Sequence, residues 1–202
     1  MADWKFFRRH IEGSGDIVSE ERIVDSFQRI KSSGSFDIEV KVGEEQTVTV
    51  WFDDNLIEYV ITEVRRGTLE IRTERSYSSY DGCRIQITVE SLEEVSLSGS
   101  GNIYVENLAG DEFVCTVSGS GDLTAEGEVN ELEIKVSGSG EVDARDLKAR
   151  EAYVRVSGSG DVDVWATESL TGRVSGSGDI TYYGNPEDVS TRVSGSGDIR
   201  GR

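Results

Sequence analysis

The sequence predicts an all-β fold, a single-stranded right-handed parallel β-helix (β-solenoid) with about 19–20 residues per coil. One tetrapeptide, SGSG, recurs at a nearly constant spacing through the C-terminal half. Apolar and polar residues alternate on both sides of each copy. Glycine is abundant (23 residues) and proline nearly absent (1 residue), which argues against collagen and against a proline-rich linker.

The repeat has six copies, and successive copies are 20, 19, 20, 18 and 19 residues apart. They begin at Ser98, Ser118, Ser137, Ser157, Ser175 and Ser194. Each copy is followed by an acidic residue or asparagine and then by an aliphatic residue. Self-similarity at such a period is typical of proteins that stack one structural unit on the next.

The alternation around each copy indicates strands with one buried face. Leu132, Ile134 and Val136 precede one copy at every second position, and Val142 follows it. Each unit is therefore predicted as a strand, a glycine-rich corner, a second strand and a return turn. A β-sandwich or a propeller fits less well, because sandwich strands do not share a fixed tetrapeptide and a propeller blade needs about 40 residues.

The chain divides into an N-terminal cap with irregular first coils (1–97) and regular coils (98–202), predicted to form one continuous domain. Strands are expected at residues 36–42, 46–51, 69–72 and 84–89. Residues 53–60 could form a short helix or a turn, with Asp54 or Asn55 as N-cap. Trp4, Phe6 and Phe7 are expected to seal the first coil.

The formal net charge of -18 argues against nucleic acid and anionic membranes as partners. No stretch approaches the roughly 18 apolar residues that a membrane span needs. The first ten residues contain no apolar stretch of the kind found in a signal peptide.

Two cysteines are too few for a disulfide framework. Cys83 and Cys115 both occupy inward-facing positions of predicted strands. Two buried free thiols are favoured over a bridge, which stays an alternative.

Stacked coils would align the residue after each SGSG copy into an acidic row. This row, which we call the acidic row, contains Asp122, Glu141, Asp161, Asp179 and Asp198, with Asn102 ahead of it. It could bind cations such as Ca²⁺, which favours several carboxylate oxygens. Alternatively, each acid accepts backbone N–H groups at the glycine corner. The second interpretation is favoured, so no cofactor or metal ligand is assigned.

The residue two positions before each copy forms a second row, whose last four members are cations. This basic row consists of Lys135, Arg155, Arg173 and Arg192. It could hold an anionic partner such as an acidic glycan. The alternative is pairing with nearby carboxylates such as Glu133, Asp143 or Asp163.

Three features together resemble a bacterial family, the putative auto-transporter adhesin, head GIN domain. They are Arg22-x-Val24-x-x-Phe27-x-x-Ile30, the segment Gly67-Thr68-Leu69-Glu70-Ile71 and the serial SGSG copies. The resemblance covers the chain from about Glu12 onward. It implies a right-handed β-helix exported to the periplasm or cell surface, and it brings no established catalytic residues.

The resulting prediction is a non-catalytic, adhesin-like binding or structural module that recognises a glycan or a protein. The only histidine is His10, so a catalytic triad containing histidine is nearly excluded. The first alternative is a carbohydrate-active enzyme of polysaccharide-lyase type, for which Asp143 and Asp163 offer a carboxylate pair. The second is a structural assembly protein that self-associates through the ends of the solenoid.

Overall fold

The computed structural model describes residues 10–202, which contain seventeen β-strands and one 3-10 helix of three residues, Ile57–Tyr59. The N-terminal strands are β1 (Ile11–Glu12), β2 (Ile17–Glu21), β3 (Arg29–Ser33), β4 (Phe36–Val42), β5 (Thr47–Asp53), β6 (Val60–Arg65), β7 (Thr68–Thr73), β8 (Tyr77–Ser78) and β9 (Cys83–Val89). The remaining strands are β10 (Glu94–Leu97), β11 (Ile103–Val117), β12 (Leu123–Val136), β13 (Val142–Val156), β14 (Val162–Val174), β15 (Ile180–Tyr183), β16 (Asp188–Val193) and β17 (Ile199–Gly201).

Fifteen strands form one open, mixed sheet, and β1 pairs with β8 in a separate two-stranded sheet. The predicted single-stranded right-handed parallel β-helix is therefore wrong. Strand β5 pairs antiparallel with both β2 and β9, and β6 pairs antiparallel with β7. These strands lie in the segment that lacks the repeat, and β6 and β7 are joined by the short turn at Arg66 and Gly67, which favours antiparallel neighbours.

The predicted return turn within each repeat is also absent from the long strands. Strand β11 runs for 15 residues, and β12, β13 and β14 are similarly long. Instead of a turn, the β11–β12 pairing shifts register between Val105 and Leu108, where Asn107 has a positive φ of 58°. A bulge bends the strand while leaving the backbone ladder on either side intact.

The repeats pair with one another in parallel, one repeat apart. Val117 faces Val136, which faces Val156, and Val156 faces Val174. At the SGSG segments the backbone continues the ladder: the Ser137 N–H donates to the Val117 carbonyl over 2.9 Å. Equivalent side chains therefore form columns along the stack, which is what aligns the acidic and basic rows.

The core lies on the inward face of these columns, as the alternation predicted. Aliphatic residues dominate it, and Phe36, Phe52 and Phe113 are fully buried. In the N-terminal part, the buried carboxylate of Asp53 accepts hydrogen bonds from the Gly15 N–H (2.6 Å) and the Ser79 hydroxyl (2.5 Å). These bonds tie the first described residues to the sheet.

Three of the four predicted N-terminal strands match β4, β7 and β9 within one residue at either end, and the fourth overlaps β5. Residues 53–60 contain the 3-10 helix, whose N-cap is Leu56 without a side-chain hydrogen bond, so neither Asp54 nor Asn55 caps it. The predicted seal by Trp4, Phe6 and Phe7 lies outside the described residues. No helix within residues 10–202 is both long enough and apolar enough to cross a membrane.

Both cysteines are free thiols and buried, which confirms the favoured interpretation. Burial raises the pKa of Cys83 to about 12, and burial does the same for Cys115.

Because the thiolate is the reactive form, we expect neither thiol of the native protein to react with Ellman's reagent at pH 8. The protein unfolded in guanidinium should release two equivalents of chromophore. A Ser120→Cys variant, whose new thiol is exposed, is the positive control; prompt labelling of the unsubstituted native protein would contradict the prediction.

Candidate functional site

The basic row lies on the outward face of four neighbouring strands. Lys135 is the register partner of Arg155, Arg155 of Arg173, and Arg173 of Arg192. Each side chain is exposed. Neighbouring strands are about 4.8 Å apart, so the row presents positive charge at a regular interval along the stack.

Only one member of the row is paired. The Lys135 ammonium lies 2.9 Å from a Glu133 carboxylate oxygen, as the alternative interpretation expected. Within residues 10–202, no carboxylate oxygen lies within 4.0 Å of the guanidinium groups of Arg155, Arg173 or Arg192. Three adjacent arginines are thus available to a ligand in a strongly acidic protein.

The other carboxylates expected to neutralise the row are engaged elsewhere. Arg145 donates to Asp143, with its Nε 2.9 Å from Asp143 Oδ1, and its Nε also lies 3.6 Å from Asp163 Oδ2. The hydrogen bond from Arg145 lowers the pKa of Asp143. Asp143 and Asp163 therefore form an ion-pair network with Arg145 beyond the SGSG segments, eight residues further along the chain than Lys135 and Arg155.

A shallow surface depression of ≈ 500 Å³ lies against the row. Lys135, Arg155 and Arg173 line one side of it, and the column of Glu133, Tyr153 and Thr171 lines the other. Tyr153 is 43% exposed, and its hydroxyl donates to a Glu151 carboxylate oxygen over 3.0 Å. That bond holds the aromatic ring beside the cations, where a flat apolar surface is available to a ligand.

Two residues that share a column with this surface were absent from the predicted site. Thr171 carries no sequence signal beyond its position in the column of Tyr153. Lys31 lies in the same column as the basic row but three strands from Lys135, with Ser96 and Thr116 between them. It could have been found, because it stands two residues before Ser33-Gly34-Ser35, a degenerate copy of the repeat.

The acidic row accepts backbone hydrogen bonds from one repeat to the next. Asp122 accepts from the Glu141 N–H (2.8 Å), Asp161 from the Asp179 N–H (2.7 Å), and Asp179 from the Asp198 N–H (2.8 Å). Burial, and then the charges of four neighbouring aspartates, raises the pKa of Glu141. They are hydrogen bonds of the kind described by the alternative interpretation of the acidic row, in which each acid accepts backbone N–H groups at the glycine corner.

No cluster of three or more potential ligands within residues 10–202 is arranged to hold a metal ion. Ca²⁺ binding by the acidic row stays a prediction that the structure does not test.

The other aromatic side chains near the C-terminal end are partly used internally. Trp165 and Tyr183 stack on each other, with ring centroids 6.3 Å apart and planes 12° from parallel. Tyr153 therefore remains the aromatic ring that stands beside the basic row.

The fold is shared with bacterial proteins of known crystal structure. A putative adhesin of Bacteroides fragilis superimposes with a TM-score of 0.80 at 24% identity, covering 95% of this chain and 100% of that one. A putative lipid binding protein of Parabacteroides distasonis gives 0.59 at 27% identity (96% and 100%). A putative adhesin of the same species gives 0.61 at 24% identity (96% and 100%).

A comparison with curated proteins finds no match. The family model described as putative auto-transporter adhesin, head GIN domain, matches residues 26–186. This range begins after Arg22 and Val24 and ends before the last SGSG copy, so it is narrower than the resemblance drawn from the sequence. It still covers most of the chain and confirms the resemblance: the chain belongs to the head GIN domain family of putative auto-transporter adhesins.

Proposed function

We propose that this chain is a non-catalytic, extracytoplasmic binding module whose basic row holds an anionic polymer, an acidic glycan in particular. The observation that carries the proposal is the set of three stacked arginines, Arg155, Arg173 and Arg192, that have no carboxylate partner within the described part of the chain. Adhesin-like family membership supports a surface location and a binding role.

The chemistry of the row favours carboxylate or sulfate groups. A guanidinium presents planar donors that match these groups in pairs, whereas an ammonium acts as a point charge. The row contains both kinds of cation at one-strand intervals. A chain of repeating negative charges can therefore contact several cations at once, which a small anion cannot.

The depression beside the row favours a sugar as the unit that carries the charges. Tyr153 offers a half-exposed ring, and Thr171 a hydroxyl, on the side opposite the cations. Sugars use their apolar faces on aromatic rings and their hydroxyls for hydrogen bonds. Because the net charge is -18, the rest of the surface repels polyanions, and only the basic row attracts them.

The enzyme alternative receives less support from the same surface. Its carboxylate pair, Asp143 and Asp163, is bound by Arg145 and lies away from the basic row. A lowered pKa keeps Asp143 ionised and unsuited to act as a general acid at neutral pH.

The test measures binding to polygalacturonate and heparin, with neutral dextran as the uncharged probe, for the unsubstituted chain and for a Lys135→Ser/Arg155→Ser/Arg173→Ser variant. We expect affinity for at least one polyanion, none for dextran, and a loss of about tenfold or more in the variant, equivalent to about 1.4 kcal/mol. Raising the salt concentration should weaken binding, because the contacts are charge-assisted and exposed.

The matched control is Lys41→Ser/Arg84→Ser/Lys148→Ser, which removes the same number of positive charges from exposed positions outside the row. Equal losses in both variants would show a net-charge effect and overturn the assignment of the row. Release of unsaturated oligosaccharides from a bound polyanion would instead establish the lyase alternative.

A further inference from the structure

Strand β16 is the last strand of its column within residues 10–202, and its outer edge is unpaired there. Within residues 10–202 it pairs with β14 on one side and with no strand on the other. Val189 and Val193 are 45% and 42% exposed, although Leu170 and Val174, their register partners on β14, are each 1% exposed. The column of inward-facing apolar side chains thus continues onto β16, where no further strand covers it within the described residues.

The free edge of β16 also offers backbone groups for pairing. The Ser194 N–H donates back to the Val174 carbonyl, and the Ser196 N–H to the Gly176 carbonyl. Because successive residues of a strand direct their peptide groups to opposite edges, those of Val189, Thr191 and Val193 face outward. An exposed strand edge of this kind is a template for another strand.

We propose that this edge pairs antiparallel with β16 of a second copy of the chain, in a two-fold symmetric dimer centred on Ser190. In that register Val189 faces Thr191 of the second copy, and the two residues exchange hydrogen bonds through their free peptide groups. Symmetry makes the same pairing occur twice, which closes the assembly at two chains.

Charge selects this register over the others. About Ser190, outward-facing Asp188 of one copy stands opposite Arg192 of the other, on both sides of the two-fold axis. A parallel arrangement in matching register would place like charges opposite each other. A shift that centres the pair on Thr191 would place Arg192 opposite Ser190 and lose both charge pairs.

The first test uses a cysteine at the symmetry centre. Facing Ser190 residues form a pair without mutual hydrogen bonds, with Cα atoms about 4.5 Å apart, which is a separation that a disulfide can span. We expect Ser190→Cys to form a covalent dimer under mild oxidation. Ser120→Cys, exposed on the preceding part of the stack, is the control and should form no covalent dimer, and the native thiols are buried. Equal cross-linking in both variants, or none at position 190, would overturn the proposal.

The second test is a charge exchange followed by light scattering and analytical ultracentrifugation. Asp188→Arg and Arg192→Asp should each weaken dimerisation about tenfold or more, because each places like charges opposite one another. The double variant Asp188→Arg/Arg192→Asp should restore it. Glu131→Arg, exposed on β12, makes the same change in net charge as Asp188→Arg and should leave dimerisation unchanged.

Every other outcome counts against the dimer. A strict monomer at all concentrations would show that nothing covers the edge in this chain. Assemblies that grow beyond two chains would show that the edge meets a different surface of the next copy. A dimer that survives the single charge reversals would lie elsewhere on the molecule.

Discussion

Gly158→Ala should destabilise the protein by about 3 kcal/mol or more, at the upper end of the range for forced overpacking. A Cβ atom at this position would lie 1.9 Å from the Gly138 carbonyl oxygen and 2.8 Å from that of Ser137. Both are backbone atoms of the preceding repeat, and they cannot rotate away as a side chain would. The stacked segments would have to separate, and the hydrogen bond from the Ser159 N–H to Gly138 would lengthen.

Urea unfolding followed by circular dichroism measures this loss. Ser159→Ala is the matched control, since its side chain is exposed and substitutions of this kind usually change stability by less than about 0.5 kcal/mol. Gly195→Ala tests the mechanism. Its Cβ would also lie 1.9 Å from a carbonyl oxygen, that of Gly176, but no described segment stacks on its far side. We expect Gly195→Ala to lower the free energy of unfolding less than Gly158→Ala does. That difference would show that the loss at Gly158 comes from a clash between stacked segments and not from a general intolerance of alanine. Equal losses at the two positions would contradict this explanation.

Phe113→Ala should cost about 3–5 kcal/mol, because it removes a buried aromatic side chain and leaves a cavity. Phe113 is fully buried on β11, and its register partner on β12 is Leu132. Beside Phe113 the backbone ladders to β10 on one side and to β12 on the other hold the strands at their usual separation. The surrounding side chains therefore cannot close the cavity by collapse.

The neighbouring exposed position supplies the control. Glu112→Ala should change the free energy of unfolding by less than about 0.5 kcal/mol. Phe113→Leu should cost less than Phe113→Ala, because it keeps most of the apolar volume. If Phe113→Ala and Glu112→Ala proved equally mild in urea unfolding, the column would not be packed as the structure has it.

The inward and outward positions of the repeats could be read from the sequence. Leu132, Ile134 and Val136 are buried as their alternation predicted, and both cysteines follow the same rule. The reason is local: side chains of a strand alternate between its faces whatever its neighbours are. The fold class drawn from these repeats was wrong, because the alternation does not report which strand lies beside which.

The N-terminal segment illustrates that limit. The strand at Thr47–Asp53 was predicted approximately, but its antiparallel pairing with Ile17–Glu21 and Cys83–Val89 was not. These partners are 26 or more residues apart in sequence from one another and share no repeat that would mark them. Their register depends on packing between distant segments, including the hydrogen bonds to buried Asp53.

The candidate site, too, could be predicted from the sequence only in part. The sequence located the four cations of the basic row, since their spacing equals that of SGSG. It did not distinguish the paired Lys135 from the unpaired arginines, nor did it show that Arg145 occupies Asp143 and Asp163. Which charges neutralise each other depends on side-chain directions across strands, and those are set by the sheet.

By itself, the sequence determined the family, the buried face of each strand and the alignment of the two charged rows, because all three depend on local pattern and on a constant period. The tertiary structure decided the mixed pairing of the sheet, the cations left free for a ligand and the open edge at Asp188–Val193. These features arise from contacts between segments far apart in the chain. Backbone hydrogen bonds and charge pairs across such contacts depend on three-dimensional proximity, which no local pattern specifies.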